Sequence, residues 1–421
     1  AHGVFWATIR RQSYLMHSSM KFMLVSVFPD YGCSNSTCNL PKTLFGVGQL
    51  NHLHEQMMPG KKALLILSNG ISAKKYGYLN RTEKELHLAG VETVLFDQIE
   101  PNPTKTTVMM GAAVARQEKC DFLVALGGGS CIDASKAIAV MATNKGDLWD
   151  YIQNGTGKRQ PIAINPLPII AITTTAGTGS ETDAGGVITN TETNEKTPIK
   201  SPLLFPKLAI IDPELMLTVP PKYTAYQGFD ALFHNIEGYL SCKANLMSEM
   251  IALEAVDQIS TWLPVAVQDG ANIEARERVA FGNYLGGLEM CTSSNMSEHS
   301  LEHALTAYHQ ELPHGAGLIM LSKAYFTYMI EHHVCDERFV ALAKKMGRTD
   351  AEKPEEFIIA LEELKEKCDV SDLKMSDYGI VPDEFPKMAA NAKSAMAFLF
   401  EGDRMELKEE DCVNILNAAY Q

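Results

Sequence analysis

Asp230 and His234 stand four residues apart in "QGFDALFHNIEG" (227–238), an otherwise apolar stretch. On a helix that spacing puts both side chains on one face, a turn apart. A carboxylate and an imidazole held there are either a structural pair or two ligands of one cation. Farther on, "HSLEHALTAYHQELPHGAG" (299–317) packs four histidines, His299, His303, His309 and His314, into 16 residues. One carboxylate with three imidazoles suits Fe2+, Mn2+ or Zn2+ and is too nitrogen-rich for Mg2+ or Ca2+. His299 and His303 are themselves four apart, so spacing cannot choose between them. His332 and His333 in "EHHVCD", like His52, His54 and His87, have no periodic partner and read as solvated residues.

A second chemistry is written in glycines. "LVALGGGSCIDASK" (123–136) runs from a buried apolar strand through three glycines and a serine into a helical pattern. Glycine lets the backbone come close to a ligand, and a helix N-terminus offers unpaired N–H groups to an anion. The motif is neither the Rossmann GxGxxG nor the P-loop. The second loop, "TTAGTGSE" (174–181), follows the strand "LPIIAIT" and adds hydroxyls. Two such loops at strand ends are what an open α/β sheet offers a dinucleotide; the structural alternative for the threonines is helix capping.

These groups need a scaffold to hold them. The apolar runs 61–69, 91–97, 121–130 and 167–181 read as strands, and the segments 74–90, 106–120 and 131–143 read as helices. Such alternation predicts a parallel sheet covered on both faces. Past Asp212–Pro221 the apolar spacing becomes i, i+3, i+4 throughout, which predicts an all-helical region. The expected division is an N-terminal extension (1–37) without chemistry, an α/β dinucleotide-binding domain (38–214) and an all-α metal-binding domain (215–421).

Composition narrows the partners. The chain has 421 residues and a net charge of −14, which disfavours nucleic acid and anionic membranes. No stretch reads as a membrane span or as a signal peptide with its cleavage site. The nine cysteines are scattered without a CxxC spacing, as in a reducing cytoplasm. Cys33 and Cys38 are close enough in sequence to pair.

With "LPKTLFGVGQL", "EPNPT", "GGGSCIDASK", "TTAGTGSE", "IDPELMLTVPP", "GFDALFHNIEGYLS" and "LPHG" in this order, the chain resembles the iron-containing (group III) alcohol dehydrogenases over some nine-tenths of its length. The resemblance implies a dehydroquinate synthase-like architecture, with the active site in the cleft between the two domains. It implies Asp230, His234, His303 and His314 as metal ligands, Fe2+ first and Mn2+ or Zn2+ as alternatives. It implies Gly128, Gly129, Ser130, Asp133, Thr174, Thr175 and Thr178 as cofactor contacts, a small alcohol or aldehyde as substrate, and a homodimer. Members often carry a relay histidine four residues after the third ligand; counted from His303 that position is Ala307, which leaves His309 as the candidate relay. NAD-preferring members often have an aspartate after the strand 61–69. Here Asn69, Gly70 and Ser72, with Lys74 and Lys75 nearby, form a neutral to basic turn that favours NADP(H). The reaction expected is hydride transfer between nicotinamide and a small alcohol or aldehyde; the alternatives on the same fold are a polyol-phosphate dehydrogenase and a dehydroquinate synthase-like lyase.

Overall fold

The computed structural model describes residues 40–420 together with the backbone of Phe22–Leu24. Cys33 and Cys38 lie outside the described residues.

Nine strands are described: β1 (Phe22–Leu24), β2 (Lys42–Phe45), β3 (Lys62–Ser68), β4 (Glu92–Ile99), β5 (Phe122–Gly127), β6 (Ile169–Thr173), β7 (Gly185–Asn190), β8 (Glu195–Lys200) and β9 (Leu208–Ile211). Seven of them form one sheet in the order β1-β2-β9-β6-β5-β3-β4, parallel except where β1 pairs antiparallel with β2 at the edge. Phe22–Leu24, within the N-terminal extension, thus adds a strand to the sheet. Alternation along β3 shows why the sheet is buried on both sides. Leu64 and Ile66 join the core under one layer of helices. Ala63, Leu65 and Leu67 join the core under the other, as period-2 geometry requires.

The helices of this half are α1 (Ser72–Lys75), α2 (Tyr78–Leu88), α3 (Lys105–Gln117) and α4 (Gly129–Thr143). The predicted helix over 74–90 is split, because Gly77 adopts φ +77° and caps a fresh start at Tyr78. β7 and β8 form an antiparallel hairpin outside the main sheet, which the sequence reading did not anticipate.

After β9 the chain is helical: α5 (Pro221–Leu240), α6 (Leu246–Gln268), α7 (Ile273–Thr292), α8 (Ser297–Tyr308), α9 (His314–Glu331), α10 (Asp336–Lys345), α11 (Glu355–Lys367), α12 (Phe385–Ala395), α13 (Ala397–Phe400) and α14 (Glu409–Ala419). Pro221 opens α5 at a position where its missing N–H costs nothing. From Gly228 to Leu240 every residue of α5 is buried. One side contributes Phe229 and Phe233 to an aromatic cluster with Phe326, Phe339 and Phe357. Truncating a phenylalanine in such a core costs about 3–5 kcal/mol. The other side carries Asp230 and His234. Contrary to expectation, one described helix, α6, is long and apolar enough to cross a membrane by length and composition; here it packs along α5 and α7.

Candidate active site

A helix buried all round can carry ionised groups only if they meet partners. Asp230 Oδ1 faces three ring nitrogens: His234 Nε2 at 3.6 Å, His299 Nε2 at 3.6 Å and His314 Nε2 at 3.4 Å. The His234 and His299 rings stack with centroids 4.5 Å apart.

Each imidazole is braced from behind through its other nitrogen. His234 Nδ1–H donates to the Gly177 carbonyl at 3.3 Å. His299 Nδ1 is bonded to the Glu237 carboxylate and His314 Nδ1 to that of Glu302. These acceptors hold the Nδ1 sides and aim all three Nε2 atoms at Asp230, an arrangement typical of braced metal-binding histidines. Two donors ~2.1 Å from one ion at tetrahedral angles stand roughly 3.4 Å apart, close to the spacing seen. Asp230 Oδ1 and His299 Nε2 are buried and make no hydrogen bond. Polar atoms so placed are costly unless something else satisfies them, and a divalent cation fits.

The electrostatics differ from ring to ring. Burial alone would raise the Asp230 carboxyl, but the imidazoles around it, His234, His314 and His299, outweigh it and hold the group well below the ordinary carboxylate range. Burial drives His234 down to about 3, so its imidazole is neutral and its lone pair available. At His299 burial pushes in the same direction but loses: Glu237 and Asp230 push it up to about 10, so a cation binding there would displace a proton from Nε2.

This arrangement corrects the sequence reading in one register. His299, not His303, is the third imidazole facing Asp230. The two sit one turn apart on the same face of α8, and the difference lies in the bracing: Glu237 turns His299 inward, whereas His303 Nδ1 has no hydrogen-bond partner. His303 lies next to His314, ring centroids 5.2 Å apart, and lines the cavity. Counted from His299, the residue four positions on is His303 itself, so Ala307 no longer marks a missing histidine. His309 ends α8 and bonds Glu384 at 2.9 Å; it does not line the cavity.

The glycine loops meet on the other side. The C-terminal ends of β3, β5 and β6 share one sheet edge, because the strands are parallel. Gly127 closes β5 and α4 starts at Gly129. A methyl on Gly128 would lie 2.8 Å from Thr175, and one on Gly129 2.3 Å from Thr178, so the two loops touch with no room for side chains. Gly179 takes φ +63° and passes against the backbone of Gly287 in α7. Asn283 Oδ1 accepts from its N–H at 2.9 Å, fastening the loop to the helical half. Gly129, Ser130, Asp133 and Thr178 line a cavity of about 500 Å³ together with His234, His299, His303 and His314. Thr174 donates its N–H to Gly127 and Thr175 packs on Gly128 beside this wall. Asn69, Gly70 and Ser72 are exposed at the end of β3 on the same edge, outside the cavity lining. Lys74 there is paired with Asp97, and Lys75 lies over the Tyr76 ring at 5.1 Å.

Besides Glu237 behind His299, three buried groups of the site escaped the sequence. Lys136 of α4, fully buried, donates to the Ser180 carbonyl and hydroxyl at 2.8 Å and pairs with Asp183, tying the two loops together. Lys196 of β8 donates to Asn102 at 3.0 Å and to Thr306 at 2.9 Å. Glu302 backs His314. Only Lys136 carried a signal, a lysine inside an apolar helical stretch.

Residues 41–213 match the model for iron-containing alcohol dehydrogenase, and residues 224–420 match the C-terminal model of the same family. The 1,3-propanediol dehydrogenase of Klebsiella pneumoniae is 37% identical over 350 residues, 82% of this chain and 88% of that protein. A probable NADH-dependent butanol dehydrogenase of Bacillus subtilis is 32% identical over 389 residues, 90% of this chain and 98% of that protein. The crystal structure of an archaeal halo-thermophilic alcohol dehydrogenase from a Red Sea brine pool superposes with a TM-score of 0.85 at 31% identity, covering 92% of this chain and all of that one. A parallel-sheet domain, a helical domain and a cleft bearing one carboxylate and a ring of imidazoles accordingly place this chain in the iron-containing alcohol dehydrogenase family, as an oxidoreductase that works with a nicotinamide cofactor and a divalent metal.

Proposed function

We propose that Asp230, His234, His299 and His314 hold one divalent cation, Fe2+ in the cell, and that the chain interconverts small alcohols and aldehydes with NADP(H) as a cytoplasmic homodimer. The observation that carries this reading is the convergence of three braced Nε2 atoms on Asp230 Oδ1. When bound, the cation supplies Lewis acidity to a substrate oxygen and the nicotinamide supplies or takes up hydride.

The residues of the chain do the rest. The α4 N-terminus and the main chain at Gly128 and Gly129 receive a pyrophosphate, with Ser130, Asp133, Thr174, Thr175 and Thr178 around it. Lys136 keeps the second loop at its distance, so the reacting groups are positioned before they meet. His303, with Nδ1 unbonded and its ring in the cavity wall, is the side chain that can hold or pass the proton released from a substrate hydroxyl. His309, engaged by Glu384, is not placed for this.

Preference for NADP(H) is supported by the uncharged turn Asn69, Gly70 and Ser72. Lys75 is the cation left for a 2′-phosphate, since Lys74 is held by Asp97. The cytoplasmic placement is supported by the free thiols Cys120, Cys131, Cys242, Cys335, Cys368 and Cys412. The test is reconstitution of chelator-treated protein with Fe2+, Mn2+ or Zn2+, followed at 340 nm with short aldehydes and each cofactor. Metal-dependent net oxidation of NADPH, faster than of NADH, is expected. A cofactor absorbance that never changes on net turnover would return the chain to the lyase alternative, and a preference for NADH would overturn the cofactor assignment alone.

A further inference from the structure

Glu302 stands apart from the other groups of the site because one of its oxygens is shared. The side chain is fully buried. Its Oε2 receives the Nδ1–H of His314 and lies 3.8 Å from the Lys196 ammonium. Its Oε1 is buried and makes no hydrogen bond. The glycine behind it makes room: a methyl at Gly317 of α9 would stand 2.8 Å from Glu302 Cγ and 2.9 Å from Oε1, so the side chain packs directly against α9. Lys196 is held by Asn102 and by Thr306, one turn after Glu302 on α8. Its strand, β8, presents Lys196, Pro198 and Lys200 to the cavity at alternate positions.

We infer that Glu302 is a positioning residue that couples the cation site to Lys196, one carboxylate oxygen being divided between a ligand histidine and a cavity-wall ammonium. The inference rests on the proposed quartet. A cation drawing on His314 Nε2 makes Nδ1–H a stronger donor, so loading the quartet pulls Glu302 toward His314. Lys196 then gives up part of its counter-charge and presents a fuller positive charge to the cavity. Coupling of this kind is reciprocal: an anion that engages Lys196 releases Glu302 to His314 and tightens the hold on the cation. Glu302, His303 and His314 also bring ligand atoms within 4.8 Å of one another. His314 Nδ1 is already committed to Glu302, however, which leaves Nε2 for the Asp230 centre. Glu302 thus acts through His314 and does not ligate the cation itself.

The measurement is Zn2+ affinity, by competition with a chromophoric chelator, on the full-length protein stripped of metal. Wild type, Glu302→Gln, Lys196→Met and the double variant are compared, with melting temperature as the folding control. Wild type should take one Zn2+ per chain, and Asp230→Ala should lose it; failure there strikes the quartet and not this inference. Glu302→Gln should weaken Zn2+ binding about 10- to 100-fold, the usual loss for an outer-shell partner, at a near-unchanged melting temperature. Lys196→Met should tighten it, by removing the competitor for the shared oxygen. The double variant should depart at least about threefold from the product of the single effects, the mark of residues that interact. A smaller loss in Glu302→Gln, or additive effects, overturns the inference. So does a second Zn2+ equivalent that disappears in Glu302→Gln, since Glu302 would then be a ligand. Should Glu302→Gln fail to fold, Lys196→Met decides alone: tighter binding supports the coupling, and unchanged or weaker binding overturns it.

Discussion

The two walls of the cleft are built on opposite principles. The cofactor wall is made of main chain: Gly128 and Gly129 are defined by what they lack, and their neighbours Thr175 and Thr178 fill the space a side chain would need. The cation wall is made of side chains, and each of its imidazoles is aimed by an acceptor behind it, the Gly177 carbonyl, Glu237 or Glu302. One wall therefore fails when atoms are added and the other when they are removed. Gly177 belongs to both, since its loop follows β6 and its carbonyl steadies His234.

Removing atoms from the cation wall gives the largest expected effect. Asp230→Ala deletes the group that all three Nε2 atoms face, and His299→Ala deletes the imidazole braced by Glu237. Either should abolish metal retention and cut kcat/KM on the order of 10³-fold or more, since a Lewis acid is worth several kcal/mol and each 1.36 kcal/mol is tenfold. His303→Ala should keep the metal and lose turnover, while His309→Ala should leave both within about twofold. Metal content by elemental analysis, set beside kcat, separates the four. Loss of metal in His303→Ala with retention in His299→Ala would reverse the assignment and restore the register read from the sequence.

That register shows where sequence reading stops. The sheet was legible because its strands are continuous apolar runs, and α5 because an acid and an imidazole interrupt an apolar helix. The glycine loops were legible because their chemistry lies in residue type. His299 and His303 were not separable, because one helical turn leaves them on the same face and the deciding groups, Glu237 and the unpartnered surroundings of His303, are brought there by folding. The β7–β8 hairpin was missed for a related reason. "GGVITN" and "EKTPIK" flank the turn around Asn194, which adopts φ +51°, but Pro198 argues against a strand and is tolerated in a two-stranded ribbon with an open edge. Lys196 was lost with its strand.

Adding atoms to the cofactor wall gives a smaller and different effect. Gly129→Ala places a methyl 2.3 Å from Thr178 Cγ2 and 2.7 Å from its Oγ1. Overpacking of this kind costs about 1–3 kcal/mol, so the KM for the nicotinamide cofactor should rise roughly 5- to 150-fold. Metal content should stay at the wild-type level, which makes this the mirror image of Asp230→Ala. A Gly129→Ala protein that loses metal together with cofactor affinity would mean that the two walls are one mechanical unit, fastened through Gly179 and Asn283 more tightly than their separate construction implies.

The least conspicuous difference lies behind the cation wall, where buried carboxyl groups gather under the start of α8. Asp403 is the one to test, since it touches neither a ligand nor the cavity. Its Oδ1 accepts from the Ser297 N–H at 3.0 Å and from the Tyr325 hydroxyl at 3.2 Å. Burial outweighs both bonds and pushes it up to about 7. The unfolded chain releases this proton near 3.8, so between those values the folded state keeps a proton that the unfolded state has lost. The stability Asp403 contributes is therefore complete below about 4 and is lost as pH rises through about 7. The shift of about three units caps the loss at roughly 4 kcal/mol. Asp403→Asn stays neutral at every pH and can still accept both bonds through Oδ1. Its urea midpoint relative to wild type should accordingly be higher at pH 8 than at pH 5. A difference that does not move between those two pH values would show that Asp403 is ionised in the fold throughout, with Ser297 and Tyr325 sufficient to hold the charge.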